Sequence, residues 1–337
     1  MPRSPEKRSV FLVGTGVVGK AFVSLSKTAN AGVDLAFLSN RRGIGRSEAD
    51  LDALLALPPR EPPRAIDDAT LDELAARERP VLVDATASAD AAALYRRALA
   101  RGISVVTANK KPLAGPLADY DSLFTMNASQ TPLLYSATVG AGLPIISTLQ
   151  SLVATGDLIT RIDCVLSGTL SFLVNAVDQG VAFSSALATA KERGFTEPDP
   201  RDDLGGEDVA RKLVILAREL GARLELTDVD LTPLVGRAVA VDAALDRDFE
   251  ARARSAAKRG EKLVYLARIE RTPDGKLVAS AGPTLVPRAH PAATLSPSAA
   301  LAAVTTARHG GTPLVVSGSG AGGEVTAAGL LADILKT

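Results

Sequence analysis

The chain has 337 residues, 38 basic and 38 acidic side chains, and is 46% hydrophobic. That length holds two domains with ample core, and zero formal net charge gives no electrostatic reason to expect nucleic acid or an anionic membrane as partner. One cysteine, Cys164, rules out an intrachain disulfide, and no run approaches the roughly 18 apolar residues of a membrane span; the start M-P-R-S-P-E-K-R leads into too short an apolar stretch for a signal peptide, so a soluble cytoplasmic protein is expected.

Residues 9–13 (S-V-F-L-V) predict a short buried strand, followed by Gly14-Thr15-Gly16-Val17-Val18-Gly19 and a helix-compatible run. This is G-x-G-x-x-G with a strand before and a helix after. The first glycine permits the tight turn, the second lets backbone approach a pyrophosphate, and the third allows close helix–strand packing. The second strand, residues 33–38, leads to Ser39-Asn40-Arg41-Arg42. An acid for a ribose 2′-hydroxyl is missing there and two arginines stand in its place, which favours NADP over NAD because a guanidinium fork suits a 2′-phosphate. The bland alternative is two arginines solvating a loop.

Residues 43–79, with P-P-R-E-P-P-R at 58–64, predict a loop and short helices without nameable chemistry. The strand Val81–Asp84 then runs to Thr86. Strand carboxyl ends line the ligand crevice of a doubly wound sheet, so Thr86 and the Ala87 amide are candidates for cofactor contact. A helix over 90–102 and a strand over 103–108 lead to Asn109-Lys110-Lys111-Pro112 at the same rim, where the lysines are either functional or a solvated pair. The stretch P-L-L-Y-S-A-T-V (132–139) predicts another strand, and Gly140-Ala141-Gly142-Leu143-Pro144 reads as a turn before a helix.

From 157 to about 305 the pattern becomes α+β. D-L-I-T-R-I-D-C-V-L-S alternates as an antiparallel strand does, and Gly168-Thr169-Leu170-Ser171 opens a helix whose amides suit anionic or carbonyl oxygens. K-L-V-Y-L-A-R-I-E, the Asp274-Gly275 turn and K-L-V-A-S-A form a hairpin. One or more of these strands could extend a sheet across a two-fold axis, which makes a homodimer plausible. The last segment is strand, glycine-rich turn (Gly318 to Gly323) and helix, so the chain holds either one nucleotide site or two. His290 and His309 are isolated from any second ligand at metal spacing, and they and Cys164 read as ordinary structure.

The stretch around which the chain is organised is G-F-T-E-P-D-P-R-D-D-L-G-G-E-D-V-A-R-K, residues 194–212, with six carboxylates. Pro198 and Pro200 stiffen the backbone that carries Glu197 and Asp199, and Gly205-Gly206 delay the helix to about Glu207, from which it runs to a stop at Gly221. Asp208 and Lys212 are then i and i+4 on one helical face. A surface ion pair is the ordinary meaning of that spacing, but the loop before it aims several acids at the same helix start.

The run T-E-P-D-P-R-D-D-L-G-G-E-D-V-A-R-K resembles the signature of homoserine dehydrogenase, and the resemblance extends over residues 9–335, with 43–79 unspecific. It implies an α/β fold: a Rossmann-type doubly wound nucleotide domain (1–135 and 306–337) plus an α+β substrate and dimerisation domain (136–305), the C-terminal helix returning to the first. It implies reversible NADPH-dependent reduction of L-aspartate 4-semialdehyde to L-homoserine in aspartate-derived amino-acid biosynthesis, by a short stand-alone form. Lys212 is then the general acid, with Asp208 beside it, and Glu197, Asp203, Gly168, Thr169 and Phe195 bind substrate. Phe195 stands where relatives commonly have tyrosine. Lys110 matches the lysine beside the nicotinamide, and Gly322 a glycine that approaches the cofactor, which favours a single nucleotide site. The turn resembles the family's Y-E-A-T-V-G-A-G-L-P, whose carbonyls, at positions matching Ser136, Val139, Ala141 and Leu143, hold a monovalent cation such as Na⁺ or K⁺; Ser136 replaces an acid. Two other classes fit parts of the chain. An NADP enzyme making acyl phosphates from the same semialdehyde needs a cysteine nucleophile, and a non-catalytic NADP sensor has no need of the acid and lysine constellation.

Overall fold

Strand β1 (Arg8–Val13) is apolar on both faces, with Val10, Phe11 and Leu12 fully buried, the mark of a strand inside a parallel sheet covered on both sides. In the computed structural model, which describes residues 6–29, 31–58, 65–125 and 131–337, it forms the middle of a six-stranded sheet with β2 (Val33–Asn40), β3 (Gly43–Gly45), β4 (Pro80–Asp84), β5 (Ser104–Thr107) and β6 (Leu133–Leu134). The order is β3-β2-β1-β4-β5-β6, parallel throughout except for the β2–β3 pair. The order therefore reverses between β1 and β4, beside the glycine turn, which is where this architecture places a dinucleotide. Short helices occupy 43–79 as expected, while the proline-rich run at 58–64 lies, from residue 59 on, outside the described residues.

Two compact units emerge, Met1–Gly142 with Gly322–Thr337, and Leu143–Ala321. The closing helix, Gly323–Ile334, belongs to the first: Leu330 and Ile334 join Val10, Leu12 and Phe22 in its core. The boundaries differ from the expected 135/136 and 305/306. Residues 136–142 stay with the first unit because Asp333 of the closing helix accepts hydrogen bonds from both the amide and the hydroxyl of Ser136, at 2.7 and 2.8 Å. The same pair of bonds explains why the strand predicted over 132–139 stops at Leu134 and gives way to a 3₁₀ turn, Ser136–Thr138.

The second unit is built on a sheet ordered β12-β11-β7-β9-β10-β8, comprising β7 (Ile159–Val165), β8 (Asp230–Leu231), β9 (Glu261–Arg271), β10 (Leu277–Pro287), β11 (Ala299–Thr306) and β12 (Leu314–Ser319). Its pairs are antiparallel except β8–β10. Strand β12 ladders with β11, so residues 306–321 belong here and not, as expected, to the nucleotide domain. The β9–β10 hairpin turns at Gly275, φ +87°, the left-handed geometry its Asp-Gly predicted. The helix Glu207–Glu219 buries Val209, Ala210, Leu213, Leu216 and Ala217 along one stripe and ends at Gly221. Ahead of it, where the prolines and glycines predict a loop, lies one turn of helix, Pro200–Leu204: Pro200 takes the first helical position, where a missing N–H is harmless, and Asp199 caps it by accepting from the Arg201 amide.

Candidate active site

The glycine turn follows directly from β1. Gly14 has φ +97°, and a Cβ there would sit 2.8 Å from Thr86 Cγ2 and 2.9 Å from the Ala85 carbonyl oxygen, so the turn is seated on the loop after β4. A Cβ on Gly19 would fall 1.9 Å from the Gly14 carbonyl oxygen, which is the close packing that the third glycine exists to allow. A Cβ on Gly16 would meet nothing within 4 Å. The open space at Gly16 is a cradle ahead of the helix Val17–Thr28, whose first amides come from Val17 and Val18. Asn40, which carries no sequence signal of a role, ties the end of β2 to this turn, its Nδ2 donating to Thr15 Oγ1 at 2.7 Å.

The second glycine-rich turn reaches the first. Gly322 caps the closing helix with φ +112°, and a Cβ on the next residue, Gly323, would lie 2.8 Å from Val17 Cγ1 and 3.2 Å from the Val17 carbonyl oxygen. Two helix N-termini thus meet at one place. At the same carboxyl edge, Arg41 is exposed and Arg42 half-buried, with the Arg42 amide donating to Asn40 Oδ1 at 2.7 Å. Ala87 is exposed, but the Thr86 amide already donates to Asp84 Oδ1 at 2.7 Å. Lys110 caps a short helix, Lys111–Ala114, immediately after buried Asn109.

In the second unit, one group of side chains and carbonyls converges at the end of β7. Lys212 Nζ donates to the Leu166 carbonyl oxygen at 2.7 Å and lies 2.8 Å from Asp208 Oδ2; the lysine side chain is 12% exposed and the aspartate 50%. The spacing of Asp208 and Lys212 predicted the pair; the carbonyl that fixes the ammonium carries no sequence signal, because every residue has one. Two residues beyond Leu166, the helix Gly168–Asp178 begins, capped by Ser167. Thr169 Oγ1 donates to the Phe195 carbonyl oxygen, which draws the acidic loop to this helix start, and the Phe195 ring packs edge-on to Phe172 with centroids 5.4 Å apart. Asp203 Oδ2 accepts from the Glu197 amide at 2.8 Å, so Asp203 holds the backbone that presents Glu197.

Burial raises the Asp203 pKa above the usual carboxylate value, helped by the charges of Glu197, Asp208 and Asp202 and opposed by the Glu197 amide. A folded-state value above the unfolded one means that this group favours folding below the unfolded pKa near 3.9 and that its contribution is lost as pH rises through the folded value. Asp203→Asn keeps an oxygen for the Glu197 amide and removes the charge. It is therefore expected to raise the Tm at pH 7–8, with the gain shrinking to nothing below about pH 4, while activity falls. A pH-independent difference in Tm would contradict the assignment. The neighbouring Asp199 is held down to about 2, chiefly by the Arg201 side chain, and is consumed by that exposed pair.

The remaining candidates are structural. Cys164 is fully buried, and burial pushes its thiol well above the ordinary range, which disqualifies it as the nucleophile of an acyl-forming dehydrogenase. His290 Nε2 lies 3.2 Å from buried Asp163, which also accepts from Arg268 Nε at 2.6 Å, an ordinary structural bond. His309 is exposed, and among the described residues no group of three or more His, Cys, Asp or Glu could hold a metal ion. No described helix is long and apolar enough to cross a membrane.

Two family models match this chain, one described as homoserine dehydrogenase over residues 144–335 and one as its NAD-binding domain over residues 14–135. A homoserine dehydrogenase of Paracoccidioides brasiliensis is 41% identical over 77% of this chain and 74% of its own length. The chain belongs to the homoserine dehydrogenase family. That is a family of NAD(P)-dependent oxidoreductases, and other members are longer: a chloroplastic bifunctional aspartokinase/homoserine dehydrogenase of Zea mays is 47% identical over 76% of this chain, which spans only 29% of that relative. Among solved structures, a Candida auris protein of unknown function is 33% identical with a TM-score of 0.85 over 98% of both chains. A hyperthermophilic archaeal homoserine dehydrogenase in complex with NADPH is 25% identical with a TM-score of 0.74, over 98% of this chain and 97% of that one. The fold class expected for a homoserine dehydrogenase, a Rossmann-type unit with a second α+β unit, is the one observed.

Proposed function

We propose that this chain catalyses the reversible NADPH-dependent reduction of L-aspartate 4-semialdehyde to L-homoserine, in the branch of aspartate-derived biosynthesis leading to threonine, methionine and isoleucine. The observation that carries the reading is the Lys212 ammonium, held by the Leu166 carbonyl on one side and Asp208 on the other. An ammonium has three donors; with two engaged, the third is directed and available to a substrate oxygen.

The open space at Gly16, the clash a Cβ would meet at Gly19 and the arrival of Gly323 beside Val17 fit a dinucleotide pyrophosphate. Gly14, Thr15, Gly16, Val17, Val18 and Gly19 would hold it, with Thr86, Ala87, Lys110 and Gly322 along the rim and Arg41 and Arg42 at the 2′-phosphate. When bound, the cofactor supplies or accepts a hydride. As the aldehyde carbon is reduced, Lys212 gives a proton to its oxygen, and in the oxidation direction it takes the proton back from the hydroxyl. Asp208 steadies the protonated lysine. Glu197, presented by Asp203, accepts from the substrate ammonium, and the Gly168 and Thr169 amides face its oxygens. Phe195 supplies an apolar wall in place of a tyrosine hydroxyl.

The carbonyls of Ser136, Val139, Ala141 and Leu143 are hard oxygen donors, the class that suits Na⁺ or K⁺. Ala141 at φ +56° follows Gly140 at φ +81°, a left-handed pair within this turn. The Ser136 side chain, bonded to Asp333, leaves the cation role to its carbonyl. We also assign a cytoplasmic homodimer.

The test is absorbance of the reduced nicotinamide with L-homoserine and NADP⁺ or NAD⁺, with and without added Na⁺ or K⁺. Homoserine-dependent reduction is expected, faster with NADP⁺; protein that binds NADPH and turns over in neither direction would leave only the sensor reading. Arg41→Ala should weaken NADPH more than NADH, and equal loss for both would take Arg41 out of the 2′-phosphate site.

A further inference from the structure

At the carboxyl end of β4 lies a buried carboxylate that the mechanism does not use. Asp84 is 1% exposed; Tyr95, Thr107 and Asn109 around it are 0%, 0% and 2%. Asp84 Oδ2 accepts from Tyr95 OH at 2.6 Å and from Asn109 Nδ2 at 3.1 Å, and Oδ1 accepts from the Thr86 amide at 2.7 Å. The web continues outward. Thr107 Oγ1 is 2.7 Å from the Tyr95 hydroxyl and accepts from the Asn109 amide at 2.9 Å. Asn109 Nδ2 also donates to the Ser88 carbonyl oxygen at 2.8 Å, and its Oδ1 accepts from the Lys111 amide at 3.1 Å.

A carboxylate is costly to bury unless its oxygens are met by donors, and here the donors come from three separate segments: the loop after β4, the helix Ala91–Leu99, and the turn after β5. Both tied loops, 84–88 and 107–111, sit at strand carboxyl ends on the side of β1 opposite to β2. In this architecture the adenosine ribose lies at the end of β2 and the dinucleotide crosses the switch point, so β4 and β5 underlie the other half. We propose that Asp84 is a positioning residue for the nicotinamide half of the cofactor, fixing through Thr86 and Asn109 the two loops against which that half lies. This rests on the nicotinamide-cofactor reading above.

Asp84→Asn turns an acceptor into an N–H₂ group facing two donors. The Tyr95 hydroxyl can rotate to accept; the Asn109 amide cannot, so the fault falls on the Asn109–Lys110 turn. The test titrates the full-length protein with NADPH, by its fluorescence, and with adenosine 2′,5′-bisphosphate, which carries only the adenosine half. An unmade buried hydrogen bond predicts an NADPH Kd raised roughly ten-fold in Asp84→Asn and in Asn109→Ala, with the Kd for adenosine 2′,5′-bisphosphate unchanged. The double variant should be no weaker than the weaker single one, because both changes cut one tie. Tyr95→Phe, which removes one O–H and keeps the ring, carries the same comparison should Asp84→Asn fail to fold, with a smaller rise confined to NADPH. Parallel weakening of both ligands, or no change in either, would overturn the proposal; wild-type protein that itself failed to bind NADPH would instead remove the cofactor reading and this inference with it.

Discussion

Lys212→Ala is expected to lower kcat by roughly 10²–10⁴-fold, the range for a lost general acid or base, with the NADPH Kd unchanged. The side chain is 12% exposed and its ammonium is pinned to the Leu166 carbonyl, so its loss removes a proton donor that water can replace only from an unfixed direction. The cofactor turn belongs to the other compact unit, which is why binding and turnover should separate. Lys212→Arg is expected to fare little better: a planar fork can bond Leu166 and Asp208 but does not give up its proton at working pH. Stopped-flow hydride transfer with saturating cofactor measures the effect. A Lys212→Ala enzyme within about ten-fold of wild type would fall below the range for a lost general acid and would move the proton-transfer role to Lys110.

The second large effect is a contrast between two glycines three residues apart. Gly19→Ala should destabilise the nucleotide unit by at least about 3 kcal/mol, since overpacking alone costs 1–3 and here the Cβ would lie 1.9 Å from a backbone oxygen that cannot rotate away. Gly16→Ala should change stability by no more than about 1 kcal/mol, the scale of a helix-cap substitution, because its Cβ enters open space and its φ of −75° suits alanine. Yet it should weaken NADPH, since the space it fills is the one assigned to the pyrophosphate. Urea unfolding of each variant beside its NADPH titration checks both halves. A Gly16→Ala protein that binds NADPH as wild type does would move the pyrophosphate away from this turn.

Asp208 and Lys212 were legible from helical spacing, and the structure added the Leu166 carbonyl that makes the lysine directional. Asn40, Asp84 and Asn109 each looked like an ordinary polar residue at a strand end. Asn40 reaches Thr15 and Asn109 reaches Asp84 across 25 residues each, links that depend on which strands become neighbours, while Tyr95 reaches Asp84 from the helix that follows β4. The structural partner of His290, Asp163, is 127 residues away and was equally invisible in the sequence.

By itself the sequence determined what depends on local backbone chemistry: the strand, glycine turn and helix at 9–28, the Asp-Gly hairpin, the helix from Glu207 to its glycine stop, and the acid and lysine run. Only the tertiary structure decided where the units divide, that β12 pairs with β11, that Asp333 shortens the strand after Pro132, and that Gly323 lands on Val17. Each of those follows from a contact between different segments, settled by which buried donors and acceptors can meet and which backbones can approach without a Cβ between them.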